Sequence, residues 1–134
     1  MSFLQRFLYS IAARGYKPPS EEFSFENLDG ADRIEVTTNL NTSLKVIDDS
    51  QVIGQVVDWV KTYPDRWTVP FDGVPVARVR MNFYKGDRIV GNVGIDDEFL
   101  TTMNKGSFWS RQGDVTARVK VFQIIGLDDY PQEA

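Results

Sequence analysis

Apolar and polar residues alternate along residues 76–84, VARVRMNFY, with the period of two that is typical of a strand with one buried face. The turn KGD follows, and a second alternating run, RIVGNVGI at 88–95, comes directly after it. Two such runs around a short turn with glycine predict a β-hairpin. Gly91 and Gly94 lie within the second run, where they indicate a bulge or a close approach of another part of the chain.

Four shorter runs predict two further hairpins. Residues 33–37 alternate in the same way, and the turn NLNT joins them to SLKVI at 43–47. Farther along, FLTTM at 99–103 and SFWSR at 107–111 flank the turn NKG. The three hairpins together supply about five or six antiparallel strands.

Residues 50–63 predict an amphipathic helix, because their apolar residues recur at helical spacing. Asp49 or Ser50 can cap its first turn by accepting a backbone N–H bond. Pro64 disfavours helical geometry at Tyr63 and ends the helix. The expected buried face consists of Val52, Ile53, Val56, Trp59, Val60 and Tyr63.

The sequence of residues 115–126 is compatible with either a helix or a strand. As a helix, the segment would begin after Asp114 as N-cap and end at Gly126 as C-cap. As a strand, it would bury Ala117, Val119 and Val121 on one face. The pair of capping residues favours the helix.

The first seventeen residues predict an N-terminal amphipathic helix, which Gly15 and the pair Pro18–Pro19 end. The favoured interpretation is that this helix packs on the rest of the domain. One alternative is that residues 3–14 lie on a membrane surface or a partner, since the cations of this segment would suit anionic lipids. A misread targeting segment is the other alternative. Residues 18–32 are predicted to be a connector, and residues 128–134 a frayed tail.

These elements predict an α+β fold with a single antiparallel β-sheet of about five or six strands and helices packed on one face. The length of 134 residues favours one globular domain over residues 1–134, with its α+β core at 33–127.

Composition and charge narrow the function. Apolar residues make up 42% of the chain and charged residues 25%, which is the ordinary range for a soluble folded domain. The net charge of −4 disfavours binding to nucleic acid, because no strongly basic field attracts the phosphate backbone. No apolar run is long enough for a transmembrane helix. We expect a cytoplasmic protein.

The chain contains neither histidine nor cysteine. Disulfides, thiolate nucleophiles, cysteine-bound metals and Ser-His-Asp triads are therefore excluded. Carboxylates, lysines and tyrosines could still support catalysis, but the commonest general base is missing. We therefore expect no cofactor, no metal site and no catalytic residue, and we favour a binding module over an enzyme.

One predicted strand face carries the first candidate site. Arg78, Arg80, Asn82 and Tyr84 alternate along one side of the strand, and Arg88 begins the next strand. In one interpretation they form the solvated face of the sheet, with an acid such as Glu35 across from them. In the other they form a cationic patch for a carboxylate or phosphate group, to which arginine offers a bidentate fork.

Two tryptophans outside the regular elements form the second candidate. Trp67 and Trp109 are expected to anchor loops or to complete the core. If they were exposed together with Tyr63 and Phe108, they would instead be anchors for a protein partner.

The acids Asp96, Asp97 and Glu98 are interpreted as solvated loop residues, because adjacent side chains point in different directions. A carboxylate-based hydrolase is the alternative, and it requires two carboxyl groups in one cleft with a raised pKa.

The favoured function is a small acidic, non-enzymatic module for protein–protein interaction, of the adaptor, inhibitor or immunity type. A domain that binds a small anionic ligand through the arginine-bearing face, or the carboxylate-based hydrolase, is the alternative.

Overall fold

The computed structural model describes residues 24–70, 73 and 75–131. The predicted N-terminal helix at 1–17, and with it the predicted membrane-surface segment 3–14, lies outside these residues. The same holds for the first part of the predicted connector and for residues 132–134.

In the described part of the chain, six strands form one antiparallel sheet, in the spatial order β2-β1-β3-β4-β5-β6. All three predicted hairpins are present as β1–β2, β3–β4 and β5–β6, so the predicted α+β class with a single antiparallel sheet is confirmed. The strands are β1 (Arg33–Thr38), β2 (Ser43–Ile47), β3 (Val79–Lys85), β4 (Arg88–Ile95), β5 (Phe99–Asn104) and β6 (Ser107–Gln112).

The first described helix, α1 (Ser50–Lys61), forms where its apolar spacing predicted it. Asp49 is its N-cap, and its carboxylate accepts the backbone N–H of Gln51 at 2.8 Å and of Val52 at 3.3 Å. The helix ends at Lys61, because the hydroxyl of Thr62 and the N–H groups of the last turn bond back to the carbonyl groups of Trp59 and Val60.

The ambiguous segment forms the helix α2 (Val115–Ile125), as the capping residues predicted. The carboxylate of Asp114 accepts the N–H of Ala117 at 2.9 Å. Gly126 ends the helix with a φ of 79°, a left-handed conformation that glycine adopts without a steric penalty. Since both ends are capped, the segment forms the helix, and Val119, which the strand would have buried, is exposed.

The hydrophobic core lies between the two helices and one face of the sheet, which we call the core face. Val79, Met81 and Phe83 of β3 are fully buried there, as the alternating pattern predicted. The register places Ile34 across from Phe83, and Val36 across from Met81, so β1 extends the same apolar layer. The helices add their buried residues Ile53, Val56, Val57, Trp59, Val60, Ala117, Val121, Phe122 and Ile125.

Part of the predicted connector packs on the core. Residues Glu26–Leu28 form a short 3-10 turn, and both Phe25 and Leu28 are buried. Gly91 of β4 makes this approach possible, because a Cβ atom there would lie 2.6 Å from Cδ2 of Leu28 and 2.8 Å from Nδ2 of Asn27. The close approach predicted from Gly91 is therefore present.

None of the helices in the described part of the chain has the length and apolar character that crossing a membrane requires.

Candidate functional site

Trp67 and Trp109 are both buried, with 1% and 7% of their surfaces exposed. The indole N–H of Trp67 donates to the carbonyl of Tyr63 at 2.8 Å, and that of Trp109 donates to the carbonyl of Asn104 at 3.0 Å. Both rings therefore anchor the fold. Neither ring is exposed enough to contact a protein partner.

Arg78 lies in a bend directly before β3 and not in the strand itself. Its backbone N–H donates to Oδ2 of Asp96 at 3.1 Å. Its guanidinium group bonds both oxygens of Asp96, and its Nη2 lies 3.2 Å from Oδ2 of Asp97. The predicted strand at 76–84 thus begins only at Val79, and Arg78 joins an acidic loop after β4.

Asp97 is the centre of this acidic loop. Its Oδ1 accepts the Nε–H of Arg118 at 3.1 Å and the hydroxyl of Tyr130 at 3.0 Å. The ring of Tyr130 also lies under the guanidinium of Arg78, 3.6 Å from its centroid to Cζ. We call this group, formed by Arg78, Asp96, Asp97, Arg118 and Tyr130, the Asp97 cluster. Its two carboxylates and two guanidinium groups carry opposite charges, so the cluster has no net charge.

The pKa values in the Asp97 cluster follow from these contacts. Burial raises the pKa of Asp97, but hydrogen bonds from Tyr130 and Arg118 lower it by more, so that it lies below its usual value. Burial and the hydrogen bond to Asp97 raise the pKa of Tyr130. A hydrolase would need a carboxyl group with a raised pKa, so Asp97 has the opposite of the required shift. Among the described residues, no three acids are grouped to hold a metal ion.

The sheet face opposite the two described helices carries Arg33, Glu35, Arg80, Asn82 and Tyr84, and we call it the arginine face. All five side chains are half-buried. The register places Arg33 across from Tyr84, Glu35 across from Asn82, and Thr37 across from Arg80. Three of the predicted site residues, Arg80, Asn82 and Tyr84, thus lie on one face of the sheet. Glu35 lies on the same face, across from Asn82, as expected.

Arg33 and Tyr84 form the central pair of the arginine face. The Cζ atom of Arg33 lies 4.4 Å from the centroid of the Tyr84 ring, which is the geometry of a cation–π contact. The Nε atom of Arg33 is shielded from solvent and has no hydrogen-bond partner among the described residues. The sequence pattern missed Arg33 as a site residue, because only the register of β1 against β3 brings it to Tyr84.

Arg80 and Arg88, the other two arginines predicted as site residues, differ in their surroundings. Nη2 of Arg80 donates to Oδ1 of Asn41 at 3.1 Å and lies 3.4 Å from the carbonyl of Asn39, so neutral groups hold it. Arg88 is exposed and lies across from Lys85 at the end of the hairpin. Since successive strand residues point to opposite faces, Arg88 lies apart from Tyr84 and the arginine face.

Apolar side chains flank the arginine face. Val46 lies across from Glu35, Ile89 across from Tyr84, and Met103 across from Asn92. All three are exposed, with 53%, 51% and 44% of their surfaces accessible. Such a surface, with a stacked arginine and tyrosine between aliphatic residues, can contact a partner through both polar and apolar groups.

Arg111 is a further residue that the sequence analysis missed. It lies on the core face across from Leu100, and it is buried. Its Nη1 donates to the carbonyl of Asp65 at 2.7 Å, and its Cζ lies 4.9 Å from the centroid of the Tyr63 ring. Burial lowers the pKa of Arg111. Its alternation with Trp109 along β6 was the available signal, and its contacts indicate a structural role.

No protein-family model, curated protein or solved structure matches this chain.

Proposed function

We propose that this protein is a non-enzymatic binding module that contacts another protein through its arginine face. The observation that carries the proposal is the stack of Arg33 on Tyr84, with 4.4 Å between Cζ and the ring centroid, on the sheet face opposite both described helices. Arginine and tyrosine are among the residues that contribute most to protein interfaces.

The stack restricts the conformations of both side chains before a partner binds. A free arginine loses much rotamer freedom when a partner fixes it, and this loss weakens association. Because Arg33 already lies on the ring of Tyr84, part of this loss has occurred before a partner arrives. The planar guanidinium group can still donate in its own plane to a carboxylate of the partner.

The surroundings indicate the chemistry of the partner surface. Exposed Val46, Ile89 and Met103 lie at the flanks of the face, and the half-buried Glu35, Arg80 and Asn82 lie along its middle. We expect the partner to present apolar side chains opposite the flanks and at least one carboxylate opposite Arg33. A contact of this kind suits an adaptor, an inhibitor or an immunity-type protein.

The two alternatives have less support. A small anionic ligand was expected at Arg78 or Arg80, but the carboxylates of Asp96 and Asp97 already bind Arg78. A hydrolase was expected at the same acids, but hydrogen bonds and two arginines stabilise the charged form of Asp97.

Affinity capture with matched variants tests the proposal. The chain would be expressed in its source cells as the wild type, as the double variant Arg33→Ala/Tyr84→Ala, and as the control Lys120→Ala on the exposed side of α2. We expect the wild type and the control to recover the same partner, and the double variant to lose it. Equal recovery by the double variant, or no partner above background for the wild type, would contradict the proposal.

A further inference from the structure

The arginine face carries two opposite charges that are not paired with each other. Arg33 and Glu35 lie two residues apart on β1, so both side chains point to this face, about 7 Å apart along the strand. Among the described residues, neither takes part in an ion pair. Both are half-buried. Because a half-buried charge has lost part of its hydration, an opposite charge on another molecule would stabilise either one.

The face also carries the groups that its partner is expected to present. That partner needs a carboxylate opposite Arg33 and apolar side chains opposite the flanks. Glu35 is such a carboxylate, and Val46 and Ile89 are such apolar side chains, with 53% and 51% of their surfaces accessible. In its chemistry, the arginine face therefore complements a second copy of itself.

A twofold axis can bring the opposite charges of two such faces together. In a twofold contact both molecules use the same surface, so residue i meets residue j and residue j meets residue i. An axis that runs between the faces, at right angles to the strands and level with Ile34, places Arg33 of each copy opposite Glu35 of the other. Tyr84 is level with Arg33, and Asn82 with Glu35, so the same axis places each Tyr84 opposite an Asn82. A phenol hydroxyl and a carboxamide can form a hydrogen bond.

The same axis places each strand opposite the same strand of the other copy. The flank at Val46 of β2 therefore lies against its own counterpart, and so does the flank at Ile89 of β4. Removal of these exposed side chains from water favours association. Two sheets that face each other in this way pack about 10 Å apart with nearly aligned strands, as in a β-sandwich. The contact thus combines charge pairs at its middle with apolar contacts at its sides.

We propose that the partner of the arginine face is a second copy of this chain, bound in a twofold dimer in which Arg33 of each copy pairs with Glu35 of the other. The inference rests on the proposed function, since it uses the same face and names the protein that binds there. Each copy supplies the acid that Arg33 lacks among the described residues of its own chain. Because the contact occupies the face on both molecules, association stops at the dimer.

Sedimentation velocity of the purified full chain at increasing concentration tests the proposal. We expect the wild type to pass from monomer to dimer and to go no further. We expect Arg33→Glu and Glu35→Arg each to raise the dissociation constant of the dimer by more than about tenfold, because each places like charges opposite each other on both sides of the axis. A wild type that is monomeric at every concentration, or an equally tight dimer in both variants, would overturn the proposal.

An equimolar mixture of these two variants makes the assignment of the charge pair specific. One copy then carries two acids at positions 33 and 35 and the other carries two bases, so both positions again join an acid to a base. We expect the mixture to dimerise although each variant alone does not. The double variant Arg33→Glu/Glu35→Arg, which exchanges the charges within one chain, should also dimerise. Circular dichroism of each variant alone confirms that it is folded. If neither the mixture nor the double variant dimerises, the proposed pairing is wrong.

Arg88→Glu is the matched control, because it makes the same change of charge at an exposed arginine apart from the arginine face. We expect it to leave the dissociation constant unchanged. An equal loss of dimer in this variant would show that net charge, and not the pair of Arg33 with Glu35, controls association, and would overturn the proposal.

The two proposals can fail separately. If the purified chain is monomeric but affinity capture yields a partner that the variant Arg33→Ala/Tyr84→Ala loses, the second copy is excluded as the partner and the proposed function stands. If a dimer forms and Arg33→Ala/Tyr84→Ala leaves its dissociation constant unchanged, association uses another surface, and the dimer proposed here is excluded.

Discussion

Arg33 and Tyr84 lie across from each other on neighbouring strands, and the guanidinium group covers the aromatic ring at 4.4 Å. They are 51 positions apart in the chain, and the register of β1 against β3 alone brings them together. This pair is the centre of the arginine face and the basis of the proposed protein contact.

A double-mutant cycle measures the contact between Arg33 and Tyr84. We expect Arg33→Ala and Tyr84→Ala to show a coupling of about 0.5–1 kcal/mol in the free energy of unfolding, the usual strength of a partly exposed cation–π pair. Chemical denaturation of the four proteins checks this. The control cycle pairs Tyr84 with Arg88, which lies across from Lys85, and its coupling should be near zero. Equal coupling in both cycles would contradict the stacked geometry.

The pH dependence of stability tests the Asp97 cluster. Burial raises the pKa of Asp97, but the hydrogen bonds from Tyr130 and Arg118 outweigh it, so the folded-state pKa is depressed. A depressed pKa stabilises the fold above the unfolded value of about 3.9, and this contribution is lost as the pH falls through the folded-state pKa.

We therefore expect Asp97→Asn to be less stable than the wild type at pH 7, with a difference that shrinks when the pH is lowered below about 4. Urea denaturation across this range provides the measurement. Asp128→Asn, a change at an exposed acid after α2, should leave stability nearly constant. A difference at Asp97 that stays the same at every pH would show that its charge is not stabilised by the cluster.

Replacement of glycine by alanine should have opposite effects on stability at Gly54 and at Gly126. Gly54 lies in the exposed interior of α1 with open space around its Cβ position, so Gly54→Ala should stabilise the protein by up to about 1 kcal/mol. Gly126→Ala should destabilise it by about 1 kcal/mol, because φ is 79°, a left-handed conformation that alanine adopts only with strain. Thermal unfolding of both variants checks the signs. A stabilising Gly126→Ala would rule out the left-handed cap.

The buried tryptophans differ in their hydrogen bonds. The indole N–H of Trp67 donates to Tyr63 at 2.8 Å, whereas that of Trp59 is buried without a hydrogen-bond partner among the described residues. Replacement by phenylalanine leaves a similar gap at both sites but removes a hydrogen bond only at Trp67. We expect Trp67→Phe to cost about 1 kcal/mol more than Trp59→Phe in the free energy of unfolding. Equal costs would contradict the described bonding of Trp67.

Local patterns in the sequence were sufficient for the elements of the fold. Alternation predicted the three hairpins, and helical spacing with the caps at Asp49, Asp114 and Gly126 predicted both described helices. These signals work because each depends on residues close together in the chain. The start of β3 was placed too early for the opposite reason, since the bend at Arg78 depends on Asp96, 18 positions away.

Less of the candidate site than of the fold could be predicted from the sequence. The stripe of Arg80, Asn82 and Tyr84 was predicted, but its partner Arg33 depends on strand order and register, which no local pattern encodes. Tyr130 was assigned to a frayed tail, yet its ring packs on Phe122 and its hydroxyl bonds to Asp97.

Photo-crosslinking in the source cells is the most direct test of whether the arginine face binds another protein. A photoreactive phenylalanine analogue would replace Tyr84 on the arginine face in one protein, and Lys120 on the exposed side of α2 in another. We expect one specific crosslinked protein from position 84 and none from position 120. The same crosslinks from both positions, or a specific product from position 120 alone, would contradict binding through the arginine face.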